Sequence, residues 1–207
     1  MKKYELTAEF IEQWGKKLFR IKALISFGSV EAGELGGYVE KEDNLAQDGD
    51  AWVYGNARVC DNARVYGDAR VYGNARVYGD ARVYGNARVY GDAWVCDNAW
   101  VCDNAWVCGN ARVCDNARVC DNADYLLIGR IGSRFSFTTF FKNKDKGITV
   151  SCGCFLGTIA EFRAKVTDTH GNNKHAKMYN LAADMAELQI LGEEHFDKLN
   201  TNKSEPF

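Results

Sequence analysis

The sequence has almost no proline, with one Pro in 207 residues, and no apolar run long enough to cross a membrane. It also lacks an excess of either charge, since its formal net charge at pH 7 is −2. The start, MKKYELTAEFIEQW, has two lysines but no apolar run after them, so no secretory signal is expected. We therefore expect a cytoplasmic protein with no general affinity for nucleic acid or membranes.

Residues 51–122 contain no His, Lys or Glu, because this whole segment is a repeat. Twelve uninterrupted six-residue units follow the pattern Ala-(Arg/Trp)-Val-(Tyr/Cys)-(Gly/Asp)-(Asn/Asp). Such a short period is typical of a β-solenoid, in which each unit supplies one strand and one corner. Because side chains alternate along a strand, Ala and Val are predicted inside, and Arg, Trp, Tyr and Cys outside. If three units close one triangular coil, residues 18 positions apart stack on one another.

The repeat pattern resembles that of left-handed parallel β-helices. The flanking segments GKKLFRIKAL, GELGGYVEKEDNLAQDGDAWVYG, LIGRIGSR, VSCGCFLGT and THGNNK are similar to those of uncharacterised hexapeptide-repeat proteins of bacteria and their phages. The resemblance implies a mainly β fold, a left-handed parallel β-helix of about four to five coils with an N-terminal cap and a C-terminal α+β domain. It also implies a phage or prophage source, and it supplies no firm activity.

Composition changes abruptly at both ends of the repeat, which predicts four segments. These are an N-terminal cap (1–44), the solenoid (45–122), an α+β domain (123–191) and a flexible tail (192–207). In the cap, a helical face is predicted from the spacing of Phe10, Ile11, Trp14 and Leu18, with a strand after it in LFRIKAL.

The segment after the repeat predicts strands in YLLIG, FSFTTFF and GITVSCGC, followed by two helices. The first helix is expected to begin at Thr158, which forms a capping box with Glu161, and to stop near Gly171. The second is expected over 173–191. Its predicted apolar face consists of Met178, Leu181, Ala182, Met185 and Leu188.

Three consecutive units carry Trp in place of Arg, which spreads one Trp over each face of a triangular coil. Aromatic anchors of this kind are typical of protein interfaces. We predict contact with a protein partner or with a second copy, as a homo-oligomeric dimer or trimer, through Trp94, Trp100, Trp106, Arg76, Arg88, Tyr72 and Tyr90. The alternative is repeat drift, because Trp52 occupies the same position in the first unit.

Six of the eight Cys occupy one repeat position, and without an export signal we interpret them as reduced thiols. The coil period stacks Cys96 on Cys114 and Cys102 on Cys120, while Cys108 lies on the third face. Four-thiol metal coordination across faces is therefore excluded. A disulfide within one stack is allowed by distance, although in-register side chains would strain it.

Two weaker patterns lie after the repeat. The GRIGSR segment places Arg130, Ser133 and Arg134 around a turn that could hold a phosphate or carboxylate, or could be a solvated loop. A metal site could be formed by Cys152, Cys154 and His170, but their spacing matches no common zinc module. Two small semi-buried thiols are the preferred interpretation, so no metal site is predicted. No cofactor is predicted.

Many hexapeptide-repeat proteins are acyltransferases, which present a His as general base beside the coils. All three His of this chain lie outside the repeat, so we predict a non-catalytic solenoid that acts as a protein-binding or self-assembling scaffold. By resemblance, it would be phage-encoded and act on a host factor such as a defence system. Two alternatives stay open, an acyltransferase-like enzyme with a site in the C-terminal domain, and capture of a nucleotide or anion between protomers.

Overall fold

A computed structural model describes residues 1–194 and confirms the mainly β architecture. The chain divides into two compact units, Met1–Asn122 and the part that begins at Ala123. The first unit holds N-terminal strands and a parallel β-solenoid of about five turns, whereas the second holds an antiparallel sheet and two helices. The left-handed sense of the coils stays a prediction. Most of the predicted tail, from residue 195 on, lies outside the described residues.

The N-terminal segment is a β-hairpin rather than a helix. Strands β1 (Tyr4–Gln13) and β2 (Lys16–Ala23) are antiparallel and are joined by the two-residue turn Trp14–Gly15. Both turn residues have positive φ, 52° and 76°, which is the turn geometry that matches the twist of paired strands. Strand β2 then pairs with β3 (Leu35–Val39), which joins the first parallel sheet of the solenoid.

The predicted N-terminal helix was therefore wrong, and the reason is tertiary. The helical spacing of Phe10, Ile11, Trp14 and Leu18 is a weak local signal in a short segment. An open solenoid sheet exposes unpaired backbone groups, and a hairpin that extends the sheet satisfies them. Pairing of the backbone therefore outweighs the apolar spacing.

Each of the twelve units forms one two-residue strand. Strands one coil apart are parallel and in register, with Arg58 paired with Arg76, so the predicted offset of 18 residues is confirmed. Three parallel sheets result, which contain β3-β5-β8-β11-β14, β4-β7-β10-β13 and β6-β9-β12-β15. In chain order β4 to β15 are Trp52–Val53, Arg58–Val59, Arg64–Val65, Arg70–Val71, Arg76–Val77, Arg82–Val83, Arg88–Val89, Trp94–Val95, Trp100–Val101, Trp106–Val107, Arg112–Val113 and Arg118–Val119.

The solenoid interior is built from two residue types only. Every Ala and every Val of the twelve units is fully buried, as the alternation predicts. The corners need a left-handed backbone, and the stacked pair Gly79 (φ 69°) and Asp97 (φ 56°) shows both residue types in this role. A Cβ on Gly79 would lie 2.8 Å from the backbone nitrogen of Asp97, so this corner is also tightly stacked.

The N-terminal segment covers the first coil. The ring of Trp52 is fully buried, with the rings of Tyr4 and Phe27 at centroid distances of 6.0 and 5.4 Å. Beside them the buried Lys3 ammonium donates hydrogen bonds to the backbone carbonyls of Asp48, Gly49 and Ala51. Trp52 occupies the outward position of its strand, in register with Arg70, and is buried because the N-terminal segment covers it, so it does not show how an uncovered Trp is accommodated in later units.

The second unit is a four-stranded antiparallel sheet with two helices. Its strands, in spatial and chain order, are β16 (Tyr125–Ile131), β17 (Ser136–Lys142), β18 (Ile148–Cys152) and β19 (Phe155–Thr158). The helices are α1 (Ile159–His170) and α2 (Lys174–Leu191). The predicted capping box is present, since Thr158 Oγ1 accepts from Glu161 N and Glu161 Oε2 accepts from Thr158 N. Within residues 1–194 no helix is long and apolar enough to span a membrane.

Helix α2 buries a different face from the predicted one. Of the five predicted side chains only Ala182 is buried, whereas those of Met178, Leu181, Met185 and Leu188 are exposed. Small residues decide this, because they let the helix approach the sheet closely and pack around Tyr179. The buried residues of α2 are Ala176, Tyr179, Ala182, Ala183, Ala186, Glu187 and Ile190.

Candidate functional site

Trp94, Trp100 and Trp106, which we call the Trp belt, contact Arg side chains of neighbouring coils. The Trp94 ring lies between Arg76 and Arg112, whose guanidinium carbons are 5.0 and 4.5 Å from the ring centroid. Trp100 has the same arrangement on the next face, at 5.0 and 3.9 Å. Each cation–π contact contributes about 0.5–1 kcal/mol at such sites. The neutral rings also separate Arg side chains that would otherwise stack, so the belt has a stabilising role within the chain.

Trp106 is the most exposed of the three, with 43% of its surface accessible, and it contacts one Arg, Arg88, at 4.8 Å. Next to it the rings of Tyr72 and Tyr90 are stacked, 5.0 Å apart and within 2° of parallel. These four residues of the predicted partner site therefore share one face. The other three lie on two other faces, Arg76 with Trp94 on one and Trp100 on the next.

A groove of about 360 Å³ opens on the face that carries Trp106. Its lining contains the guanidinium groups of Arg70 and Arg88 and no carboxylate, and neither Arg forms an ion pair with another described residue. Its other lining residues are Ser29, Tyr54 and Tyr72. We call the set Tyr54, Arg70, Tyr72, Arg88, Tyr90 and Trp106 the Trp106 face.

A second groove on the solenoid, of about 270 Å³, has the opposite electrostatic character. Its Arg64 shares the lining with three carboxylate residues, Glu42, Asp43 and Asp48. The positive charge of Arg64 is therefore balanced locally, whereas that of Arg70 and Arg88 is not. Of these two grooves, the one on the Trp106 face is the better match for an anionic partner.

Helix α2 carries the largest row of exposed apolar side chains in the second unit. Their exposed fractions are 39% for Met178, 63% for Leu181, 57% for Met185 and 46% for Leu188. The intervals of three, four and three residues place all four on one line along the helix. We call these four residues the α2 stripe. Rows of this kind on a protein surface are typical of interaction sites.

A cavity of about 380 Å³ in the second unit brings the two weaker sequence patterns together. Its lining includes residues from both the GRIGSR turn and the predicted metal set, namely Ser133, Arg134, Cys152, Cys154 and His170. Arg130 does not line it. These segments are far apart in sequence, so only the packing of the helices against the sheet places them in one site.

The cavity combines an apolar wall with polar groups. Phe155, Phe162 and Val166 provide the apolar part, and Tyr179 lies beside Phe162 with ring centroids 5.6 Å apart. Burial raises the pKa of Tyr179 to about 12. Its hydroxyl, like that of any tyrosine at neutral pH, is protonated and can donate a hydrogen bond. The remaining polar residues of the wall are Ser136, Lys165 and Thr169.

The candidate metal ligands Cys152, Cys154 and His170 do not form a compact ligand group. Within residues 1–194, groups of three ligand atoms within 4.8 Å of one another occur elsewhere, at Cys96/Asp97/Cys114, Cys102/Asp103/Cys120 and Glu40/Cys60/Asp61. In the last of these groups the ammonium of Lys16 hydrogen-bonds both carboxylates, so a cation is already present.

Two pairs of stacked cysteines on neighbouring faces differ in covalent state. Cys102 and Cys120 form a disulfide, with Cα atoms 4.5 Å apart, so the prediction of reduced thiols was wrong for this pair. The one-coil offset of 18 residues brings equivalent Cα atoms within disulfide range. The hydrogen bond between the Cys96 and Cys114 thiols, together with burial, raises the pKa of Cys96, and the same bond lowers that of Cys114.

Comparison with known protein families bears on the solenoid. A family model described as "YdcK Beta solenoid repeat" matches residues 51–67, 57–71, 69–83 and 81–97. The matched segments are thus similar to the repeat of a β-solenoid family. No curated protein matches the sequence. All four matched segments lie inside the twelve units, so the match does not extend to the N-terminal hairpin or to the second unit.

Several residues of these surfaces were missed by sequence reasoning. Tyr54 and Arg70 could have been found, because they lie one coil before Tyr72 and Arg88. The regular spacing of the α2 stripe was visible in the sequence, but this spacing does not determine which face of the helix packs against the sheet. No pattern in the sequence predicts that Ser29 lines the groove, since this residue comes from a loop that folds over the solenoid.

Proposed function

We propose that this protein is a non-catalytic scaffold that self-associates through helix α2 and offers a face of its solenoid to a protein partner. The observation that carries the self-association is the α2 stripe. Four large apolar side chains in a row, each at least 39% exposed, lose contact with water when an equivalent row covers them. Intervals of three and four residues are those of a coiled-coil seam, so α2 of a second copy is a suitable helix to pack against the α2 stripe.

The solenoid faces are less suitable for pairing with each other. Every one of the three faces carries outward Arg side chains, as in the pairs Arg58/Arg76, Arg64/Arg82 and Arg70/Arg88. Packing two such faces together would place guanidinium groups opposite one another, and like charges across an interface cost several kcal/mol. The predicted homo-oligomer, dimer or trimer, is therefore assigned to α2 rather than to the Trp belt.

Replacing Leu181 and Met185 together with Glu is expected to abolish self-association. The chain should become a monomer at all concentrations, because two carboxylates in the seam would have to lose their hydration on contact. Light scattering coupled to size-exclusion chromatography measures the mass over a concentration series. Lys144→Glu, on the exposed loop between β17 and β18, changes the net charge by the same two units and should leave the mass unchanged. A wild-type chain that is already monomeric at high concentration would contradict the proposal.

The partner that the Trp106 face fits is an acidic protein segment with aromatic residues. Arg70 and Arg88 supply positive charge without a carboxylate in the groove, and Trp106 with the stacked pair Tyr72 and Tyr90 supplies exposed rings. Charge complementarity of this kind steers association and selects partners, while exposed aromatic rings form the contact centre. This binding role is a second part of the proposal and is independent of α2.

Charge reversal on the Trp106 face provides its test, with a copolymer of Glu and Tyr as the probe. We expect Arg70→Glu combined with Arg88→Glu to weaken binding at least about tenfold, equivalent to about 1.4 kcal/mol. Fluorescence anisotropy of the labelled copolymer measures the dissociation constant. The matched control reverses Arg64 and Arg82, which are stacked in the same way on another face, where carboxylates already balance Arg64. Equal losses in both double variants would show unspecific attraction and contradict the assignment.

The remaining parts of the proposal rest on the sequence. A phage or prophage source, with a host factor such as a defence system as the partner, is supported by the similarity of the flanking segments. The non-catalytic role is supported by the absence of His from the repeat, and a cytoplasmic location is part of the same proposal. An acyltransferase-like activity would be revealed if acetyl-CoA raised the melting temperature.

A further inference from the structure

The cavity of the second unit has the size and the wall of a small-molecule site. Its volume of about 380 Å³ falls within the usual range of ligand pockets, about 300–1,000 Å³. We infer that it binds a small organic anion, a carboxylate or phosphate monoester that carries a flat apolar group. The inference does not depend on the proposed scaffold role, because it uses other residues.

The charge of the cavity is positive and largely uncompensated. Among residues 1–194, no carboxylate lines it and the guanidinium of Arg134 has no ion-pair partner. The second cation of the lining, Lys165, shares its charge with Asp168, whose carboxylate is 3.0 Å away. Arg134 is therefore the main anchor for an anion, since a guanidinium binds a carboxylate or a phosphate through two parallel hydrogen bonds.

Hydroxyl groups beside Arg134 add donors for the same anion. Ser133 and Ser136 line the cavity on either side of Arg134 in sequence; Ser133 lies in the turn that begins at Gly132, and Ser136 is the first residue of β17. Gly132 itself is packed against the hydroxyl of Tyr179. This contact holds the turn against α2, so the donors are held near one wall of the cavity.

The apolar part of the wall favours a flat apolar group. The rings of Phe155 and Phe162 lie 5.6 Å apart and tilted by 53°, and Tyr179 meets Phe162 edge-on. Rings arranged in this way contact a planar group on its faces and edges. A small inorganic ion would leave this wall in contact with water, which is why we assign an organic anion.

Cys154 provides a reporter on the rim of the cavity. Its side chain is exposed, whereas the neighbouring thiol of Cys152 is half-buried and accepts a hydrogen bond from Thr138 Oγ1 at 3.2 Å. A ligand that fills the cavity should slow alkylation of Cys154 by covering it. Peptide mapping separates this thiol from the Cys of the repeat.

The test compares benzoate and phenyl phosphate with neutral benzyl alcohol on the full chain. We expect at least one of the two anions to bind, measured by saturation-transfer NMR, and to slow iodoacetamide labelling of Cys154, whereas the alcohol does neither. The two anions distinguish a carboxylate site from a phosphate site. Arg134→Gln should raise the dissociation constant at least about tenfold. Lys144→Gln, which removes an exposed Lys of the same unit, should leave it unchanged.

Three results would overturn the inference. The first is that neither anion binds the folded wild-type chain at millimolar concentration. The second is that benzyl alcohol binds as tightly as the anions, and the third is that Arg134→Gln has no more effect than Lys144→Gln. Because Arg134 is exposed, its replacement should not unfold the domain, and the circular dichroism of the two helices at 222 nm verifies this.

Discussion

Replacing Val83 with Asp is expected to destabilise the solenoid by about 4 kcal/mol or more. Val83 is fully buried, with the equivalent Val65 and Val101 of the neighbouring coils on either side. An Asp side chain there loses its hydration, and the Ala and Val interior offers it no polar partner. All five Trp lie in the first unit, so a urea titration followed by Trp fluorescence reports on this unit.

The same substitution one residue earlier supplies the control. Arg82 is exposed on the outer side of the same strand, so Arg82→Asp should cost less than about 1 kcal/mol, mainly through the loss of its contact with Trp100. A difference of several kcal/mol in stability loss between adjacent positions is expected for a strand with one face buried and the other exposed to solvent. Similar losses at both positions would contradict the alternation on which the fold depends.

Gly132→Ala is expected to destabilise the second unit by about 3 kcal/mol. Gly132 has a φ of 73°, a left-handed conformation that costs Ala about 1–2 kcal/mol. In addition, a Cβ at this position would overlap the Tyr179 hydroxyl and force the ring to move within the core of α2 and the sheet. Both helices of the described chain belong to this unit, so circular dichroism at 222 nm follows its unfolding separately from the solenoid.

Gly153→Ala distinguishes the stability cost of a positive φ from the cost of steric overlap with Tyr179. Gly153 also has a positive φ, 61°, and lies in a turn next to the same cavity, but a Cβ there would contact nothing within 4 Å. Its replacement should therefore cost only the conformational part, about 1–2 kcal/mol. If the two variants lose equal stability, steric overlap with Tyr179 makes no measurable contribution to the loss at Gly132.

The solenoid was predictable from sequence because its pattern is local and repeated. Ala and Val alternate with polar or aromatic residues in every unit, so twelve independent observations agree on which side is buried. The 18-residue coil then places Trp94 over Arg76 and Trp106 over Arg88 without further information. The sequence could not show that Arg side chains of both neighbouring coils contact the Trp94 ring, since these contacts depend on side-chain geometry.

The segments outside the repeat were predicted less completely, and two examples show why. The spacing of Phe10, Ile11 and Leu18 suits a helix, but the segment is a hairpin that satisfies an open sheet edge. Helix α2 was predicted correctly as a helix, yet its larger apolar residues, such as Leu181, face solvent. In both cases packing against residues distant in the sequence, rather than the local spacing of apolar residues, determined the structure.

The sequence by itself determined the repeat, the interior of Ala and Val, and the distribution of one Trp to each face. Periodicity is sufficient for this, because identical units must stack in an identical way. Only the tertiary structure decided that Trp52 is buried, that the α2 stripe is exposed, and that Arg134 and Cys154 line one cavity. These features depend on contacts between segments that are distant in the chain, and such contacts leave no period in the sequence.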